Sequence, residues 1–271
     1  RRPHRHAGDR LVAQPVNLGL GRVDGSLPGI RGRTAKDGEE TVDMILDTAG
    51  QKGTGKWTAI NALDLGVPLT MIGEAVFARC LSALKAEREK AQAMLGGLTH
   101  RYEGERDAAL HAIHDALYAS KIISYAQGYM LMRDAAAEYG WQINYGDIAL
   151  MWRGGCIIRS RFLDDIKRAY DRDPDLPSLL FDDFFADAVN AAEPGWRQAT
   201  GLGIGRGIPL PAMSSALSWF DGYRSAVLPA NLLQAQRDYF GAHTYRRIDR
   251  DPDRVWHTRW SGDQQEVSVD D

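Results

Sequence analysis

The chain has 271 residues, a formal net charge of −3 at pH 7, 44% hydrophobic residues and 25% charged residues. These values are typical of a globular protein that buries a sizeable core in one large domain or two small ones. The charge argues against a nucleic-acid-binding domain, which is usually strongly basic, and the sequence has no run of about eighteen apolar residues that would predict a membrane span.

Residues 1–35 differ in composition from the rest, because they are rich in arginine and contain no lysine or aromatic residue. Neither helical nor strand periodicity is sustained there, so the segment cannot bury enough apolar surface to offset its ordering entropy. We predict a disordered or non-native leader, with a basic arm for an anionic partner as the alternative. Gly19-Leu20-Gly21 begins a dinucleotide-binding pattern, but the third glycine is misplaced at Gly25 and no βαβ pattern follows.

From residue 36 onward the spacing of apolar residues at three and four predicts helix after helix, and therefore an all-α domain over 36–243. The predicted helices cover 41–48, 68–95, 105–139, 147–170, 176–190, 195–200, 214–228 and 230–242. The stretch 119–132 is apolar on most faces, which predicts a buried central helix. Residues 244–271 are polar and irregular, and we expect a tail whose tryptophans pack against another surface. The two cysteines, Cys80 and Cys156, indicate a reduced, cytoplasmic setting without a disulfide or zinc framework.

The loop Gly50–Trp57 nearly matches the nucleotide-binding P-loop pattern and then departs from it. Trp57 stands where the pattern needs a hydroxyl for Mg²⁺, and no strand is predicted before the loop, so an ATPase is disfavoured. Its glycines let backbone N–H groups approach an oxyanion, while Thr54, Lys52 and Lys56 add a hydroxyl and positive charge. We predict an anion site, and the alternative is a turn between helices with solvated lysines.

Other candidate residues lie on predicted helices. Arg79 lies next to an apolar stripe, where a buried arginine binds an anion or forms a structural salt bridge. Arg237 and His243 converge if the chain turns at Gly241, although basic residues at the end of this helix could simply complement the helix dipole. His111 and His114 could face a metal together, but no third ligand is evident, so a solvated face is favoured.

Long segments of the chain resemble the 6-phosphogluconate dehydrogenase family, in order and spacing, from about residue 36 to 260. The segments that carry the resemblance are Ile45–Thr58, Gly73–Arg79, Lys121–Gly128, Gly155–Arg159 and Arg224–Tyr245. The resemblance implies a helical C-terminal domain made of two similar halves, with a tail that reaches into the partner subunit of a homodimer. It also implies a reaction, in which 6-phosphogluconate is oxidised at C3 by NADP, the 3-keto acid loses CO₂ and ribulose 5-phosphate results, without a metal.

The resemblance assigns roles to five residues of this sequence. Lys52, Thr54 and Arg79 match positions that contact the substrate phosphate. Arg237 and His243 match the pair that one subunit gives to the other subunit's substrate. A phosphate dianion needs several charge-assisted donors at once, which these residue types supply.

The family's NADP-binding Rossmann domain, its general-base lysine and its general-acid glutamate would precede this region, and residues 1–35 do not match them. The resemblance therefore implies the substrate-phosphate-binding and dimerisation portion of the enzyme, with no catalytic residue in this chain and no activity of the chain alone. The alternative is a non-catalytic helical module that dimerises or binds sugar phosphates.

Overall fold

A computed structural model describes residues 44–97, 102–153, 160 and 162–269. These residues are mostly α-helical with one two-stranded sheet, which confirms the predicted helical fold class. The chain divides into two compact units between Phe220 and Asp221, called here the first unit and the second unit. The predicted leader lies outside the described residues, and the boundaries of the predicted domains stay a prediction.

The helices and strands have the following bounds. The helices are α1 (Thr54–Asp64), α2 (Thr70–Ser82), α3 (Lys85–Leu95), α4 (Arg106–Tyr139), α5 (Tyr145–Arg153), α6 (Leu163–Arg172), α7 (Asp183–Ile204), α8 (Pro211–Tyr223) and α9 (Ala230–Gly241), with a 3₁₀ turn at Leu179–Phe181. The strands β1 (Val255–Thr258) and β2 (Glu266–Val269) pair antiparallel, with Val255 opposite Val269. Within the described ranges, every helix is too short or too polar to cross a membrane.

Helix α4 is the centre of the first unit, as its apolar sequence predicts. Ile122, Ile123 and Tyr125 have no exposed surface, and the helix makes its most extensive contacts with α7. One polar side chain in this core, Gln127, is hydrogen-bonded at both ends of its amide. Its Oε1 accepts a hydrogen bond from the backbone N–H of Met71 at 3.1 Å, and its Nε2 donates to the hydroxyl of Thr70 at 3.0 Å. Gln127 therefore caps the first turn of α2, which has no capping side chain of its own.

The predicted helix over 68–95 is two helices, because the helical hydrogen bonding is interrupted near Ala83. The hydroxyl of Ser82 donates to the carbonyl of Arg79 at 2.8 Å, and Arg88 donates to the carbonyl of Ser82 at 3.0 Å. Side chains thus compete for carbonyls that a continuous helix would use. The apolar stripe of this predicted helix is buried at Ile72 and Val76 but exposed at Phe77, Leu81 and Leu84.

Helix α7 merges the two helices predicted over 176–190 and 195–200, and it holds Pro194 in its interior. Proline lacks the N–H that an interior position needs, so local propensity favours a break there. Val189 and Trp196 on either side of it are buried, and this tertiary packing holds the helix continuous. The opposite holds for the single helix predicted over 147–170, which is two helices, α5 and α6. Residues 154–159 between them are not described.

The predicted helix over 214–228 lies over Pro211–Tyr223, and the next ends at Gly241 instead of residue 242. The tail beyond His243 is more ordered than expected, because β1 and β2 form a hairpin. Its short strands carry too few alternating residues to stand out in the sequence. Side chains from α9 and the tail hold it, as described below.

Candidate functional site

The loop Gly50–Trp57 leads directly into the N-terminus of α1, with Thr54 as the first helical residue. Gly53 precedes it with φ +99°, a backbone conformation that side chains rarely adopt. No side chain caps this end of the helix. The first backbone N–H groups of a helix have no partner within it, and they carry the positive end of the helix dipole. The loop therefore presents N–H donors beside the exposed side chain of Lys52, an arrangement suited to an oxyanion.

The segment before the loop is fastened to α2 by side chains. The guanidinium of Arg79 donates to the carbonyl of Gly50, and the backbone N–H of Ala49 donates to the hydroxyl of Ser82 at 2.8 Å. The predicted helix over 41–48 is wrong for its described residues, since 44–50 form turns and irregular backbone. The backbone groups of Ala49 and Gly50 bond to these side chains instead. Arg79 is thereby held at the same loop as Lys52, two residues from Gly50.

Asp47 adds a second anchor for this segment. Lys85 Nζ lies 2.8 Å from one of its carboxylate oxygens, and Arg88 Nη1 lies 3.1 Å from the other. Hydrogen bonds from Lys85 and then from Arg88 lower the pKa of Asp47 to about 2, so the anchor stays ionised at neutral pH. The ion pairs are exposed and add little stability. Their role is to orient the segment that precedes the loop.

The second unit brings Arg237 and His243 together, as the sequence analysis expects if the chain turns after α9. Both side chains line one shallow surface cavity of about 250 Å³ that is open to solvent, with Gln236, Phe240 and Gly241. Both are exposed, and Arg237 Nη1 donates to Gln234 Oε1 at 3.3 Å. A guanidinium and an imidazole at one cavity can bind an anionic or hydroxylated ligand.

The turn that creates this cavity follows α9 directly. Ala242 has φ +51° and Thr244 has φ +60°, so the chain reverses through two left-handed residues that are not glycine. The ring of His243 lies close above Gly241, where an added Cβ would be 2.9 Å from His243 Nε2. A Cβ at position 241 would therefore crowd the imidazole.

One residue that the sequence analysis assigned no role holds this turn and the hairpin together. The carboxylate of Asp238 is fully buried and receives hydrogen bonds from Thr244 N–H at 2.9 Å, Thr258 N–H at 3.0 Å and Trp260 Nε1 at 2.8 Å. His257 Nδ1 lies 3.0 Å from the same group. Burial alone would raise the pKa of Asp238, but the hydrogen bonds from Thr258, His257, Trp260 and Thr244 outweigh it and lower the pKa. No local pattern signals this role, because the donors lie up to 22 residues downstream.

The two histidines weighed as metal ligands lie on α4. His114 Nδ1 is 3.3 Å from a carboxylate oxygen of the neighbouring Asp115. Over the described residues, no three side chains of the metal-ligating types cluster together. The segment Gly155–Arg159, which contributed to the family resemblance, lies outside the described residues.

Comparison with known proteins shows to which family the chain is similar. Residues 30–260 match the family model described as "6-phosphogluconate dehydrogenase, C-terminal domain". The chain is 59% identical over 233 residues to "6-phosphogluconate dehydrogenase, decarboxylating" of Ovis aries, which covers 86% of this chain and 48% of that protein. It is 60% identical over 240 residues to "6-phosphogluconate dehydrogenase, decarboxylating 1" of Saccharomyces cerevisiae, covering 86% of this chain and 49% of that protein.

A solved structure shares the fold. The 6-phosphogluconate dehydrogenase of Plasmodium falciparum, studied in its apo form and in complex with its cofactor NADP⁺ and its substrate 6-phosphogluconate, superimposes with a TM-score of 0.78 at 42% sequence identity. The match covers 82% of this chain and 48% of that one. The chain thus spans about half the length of the relatives it matches. It belongs to the 6-phosphogluconate dehydrogenase family, and it corresponds to that family's C-terminal domain.

Proposed function

We propose that this chain is the substrate-phosphate-binding and dimerisation portion of an NADP-dependent oxidoreductase that decarboxylates 6-phosphogluconate to ribulose 5-phosphate. The observation that carries the proposal is the family match over residues 30–260, together with relatives about 59% identical that are named for this activity. The reaction belongs to the pentose phosphate pathway, and we propose the cytoplasm as its setting.

The phosphate of the substrate is assigned to the loop at the start of α1. Lys52 supplies an exposed positive charge, Thr54 a hydroxyl and the helix N-terminus its backbone N–H groups. Arg79 adds a second positive charge at the same loop, through its bond to the carbonyl of Gly50. A phosphate dianion favours such a set because charge-assisted hydrogen bonds are about twice as strong as neutral ones. The three residues weighed from the sequence thus gather at one loop.

Arg237 and His243 are assigned to the substrate of the partner subunit in a homodimer. Their shared cavity supports this role, because the guanidinium suits a phosphate and the imidazole suits a hydroxyl or carboxylate of the sugar acid. The exposure of both side chains leaves them available to a ligand held by another chain.

The described residues do not fit the main site of NADP. Their sheet is a two-stranded antiparallel hairpin, whereas dinucleotides bind at a βαβ unit with a glycine-rich turn. We therefore assign no described side chain to the cofactor, and we assign the proton and hydride chemistry to no residue of this chain.

The test is a calorimetric titration of the chain with 6-phosphogluconate, gluconate and inorganic phosphate. We expect saturable binding of 6-phosphogluconate and much weaker binding of gluconate, since the assigned contacts are made to the phosphate. Equal affinity for gluconate would overturn the assignment. A parallel assay for NADPH should detect essentially no turnover by the chain alone, and robust turnover would contradict our view that its catalytic groups lie elsewhere.

A further inference from the structure

Asp238 is unusual in the second unit because no other residue among its described positions, 221–269, is buried. Its side chain has no exposed surface, whereas the other residues of α9 are half-buried or exposed. A buried carboxylate is costly unless donors surround it. Asp238 has such donors from three segments: the turn after α9, the strand β1 and the residue Trp260 beyond it.

The pattern of bonds requires a carboxylate. Thr244 N–H and His257 Nδ1 reach Oδ1, while Thr258 N–H and Trp260 Nε1 reach Oδ2. The N–H groups of Thr244, Thr258 and Trp260 can only donate, and they reach both oxygens, so the side chain must accept at both ends as an ionised carboxylate does. An asparagine would turn an NH₂ group toward one pair of donors.

The bond to Thr244 acts directly on the cavity. Thr244 follows His243, and its N–H can reach Asp238 only if the chain turns back through the left-handed residues Ala242 and Thr244. Left-handed backbone is unfavourable for residues other than glycine, so the turn needs a stabilising hydrogen bond of this kind. Gln234 adds a second one, since its Nε2 donates to the carbonyl of Thr244 at 2.6 Å. With the turn closed, the ring of His243 lies over Gly241 and lines the same cavity as Arg237.

We propose that Asp238 is a positioning residue, which holds His243 beside Arg237 so that the pair can bind the sugar phosphate of a partner subunit. The proposal rests on the proposed function for its ligand. A carboxylate next to an anion site would normally repel the ligand. Here the carboxylate is buried, and the surrounding hydrogen-bond donors offset its negative charge. Asp238 therefore affects the ligand through the conformation of the turn.

The experiment compares Asp238→Asn with Asp249→Asn in the full chain. Asp249 is an exposed residue of the same unit whose carboxylate pairs with Arg247 at 2.6 Å, so its variant makes the same charge change away from the turn. We expect Asp238→Asn to weaken 6-phosphogluconate binding about tenfold or more, since a charged hydrogen bond is misaligned, and Asp249→Asn to leave it unchanged.

A double-mutant cycle separates positioning from general loss of structure. In a His243→Ala background, Asp238→Asn should change the affinity less than about threefold, because the residue through which it acts is gone. An undiminished loss in that background would overturn the proposal. If Asp238→Asn does not fold, Asp238→Glu keeps the charge while lengthening the side chain, and the same cycle is measured with it.

A second readout needs no ligand, so it distinguishes failure of this proposal from failure of the proposed function. In nuclear magnetic resonance spectra, Asp238→Asn should shift the imidazole resonances of His243 and speed hydrogen exchange at the Thr244 amide, whereas Asp249→Asn should do neither. Gly241→Ala should shift the same imidazole by crowding it while leaving the Thr244 amide protected. Unchanged His243 resonances in Asp238→Asn would overturn the proposal even if the wild-type chain binds 6-phosphogluconate.

Discussion

The first unit and the second unit are each stabilised internally by a different kind of interaction. The first unit has an apolar core, in which α4 and α7 bury large side chains such as Tyr125, Phe185 and Trp196 with no exposed surface. Over the described part of the second unit, the one buried residue is the carboxylate of Asp238. Apolar burial stabilises without fixing direction, whereas a hydrogen-bonded carboxylate fixes direction while its desolvation opposes folding.

This contrast explains what each unit contributes to a binding site. The first unit is a firm platform, and its loop at the start of α1 is fixed by bonds to α2. The second unit orients the two side chains that we propose for the ligand, Arg237 and His243, but exposes large apolar residues, including Val227, Phe240 and Ile248. We expect it to depend on a partner subunit for part of its stability, as the proposed homodimer would provide.

The largest expected effect is in the core of the first unit. Phe185→Ala should lower the free energy of unfolding by about 3–5 kcal/mol, because it removes a fully buried ring and leaves a cavity. Its neighbour Phe184, on the same helix, is 40% exposed, so Phe184→Ala is a matched control with a much smaller cost. Thermal denaturation followed by circular dichroism measures both. Equal losses would mean that the apolar core is not where the structure puts it.

The next effect concerns ligand affinity in the second unit. Arg237→Ala should weaken 6-phosphogluconate binding by roughly 2–3 kcal/mol, because it would remove the charged hydrogen bond that we propose to the phosphate. The unfolding temperature should hardly change, since the side chain is exposed. Arg254→Ala removes an exposed arginine of the same unit and serves as the control in the same titration. Unchanged affinity in Arg237→Ala would remove this residue from the proposed site.

A smaller effect is expected at the loop of the first unit. Gly53→Ala should destabilise the chain by about 1–2 kcal/mol, because φ +99° strains any residue with a Cβ. Gly50 has ordinary φ and nothing within 4 Å of an added Cβ, so Gly50→Ala is the matched control. Chemical denaturation compares the two variants, and a tolerated Gly53→Ala would argue against this loop conformation.

The smallest effect is the acid response of the second unit. The folded-state pKa of Asp238 is lowered, so its contribution to stability is complete above the ordinary carboxyl pKa of about 4 and is lost as the pH falls through the folded value. The indole N–H resonance of Trp260, which reports the bond to Asp238, should change over that acid range before the first unit unfolds. A Trp260 signal that is independent of pH down to global unfolding would contradict this account.

Sequence periodicity predicts the helical fold class and the buried centre of α4, because a long apolar helix has few alternatives to burial. It places helix ends less well. The break at Ala83 depends on the side chains of Ser82 and Arg88, and the continuity of α7 through Pro194 depends on packing against other helices. These are tertiary effects that local propensity does not contain.

The candidate site also has residues that the sequence reveals and one that it does not. Glycines, lysines and the departure from the P-loop pattern direct attention to Gly50–Trp57 from the sequence alone, and the family resemblance assigns Lys52, Thr54, Arg79, Arg237 and His243 their roles. Asp238 could not be found in this way. Its donors are distant in sequence, and an aspartate on an exposed helix ordinarily indicates a solvated face.

The most direct test of the central claim mixes two defective chains. If Lys52, Thr54 and Arg79 of one subunit bind the phosphate together with Arg237 and His243 of the other, a Lys52→Ala chain and an Arg237→Ala chain each form dimers with damaged sites only. Random exchange into mixed dimers then leaves one intact site in each mixed dimer, or about a quarter of all sites. We predict that 6-phosphogluconate binding at wild-type affinity returns to about this fraction on mixing, and the absence of any recovery would contradict a site shared between subunits.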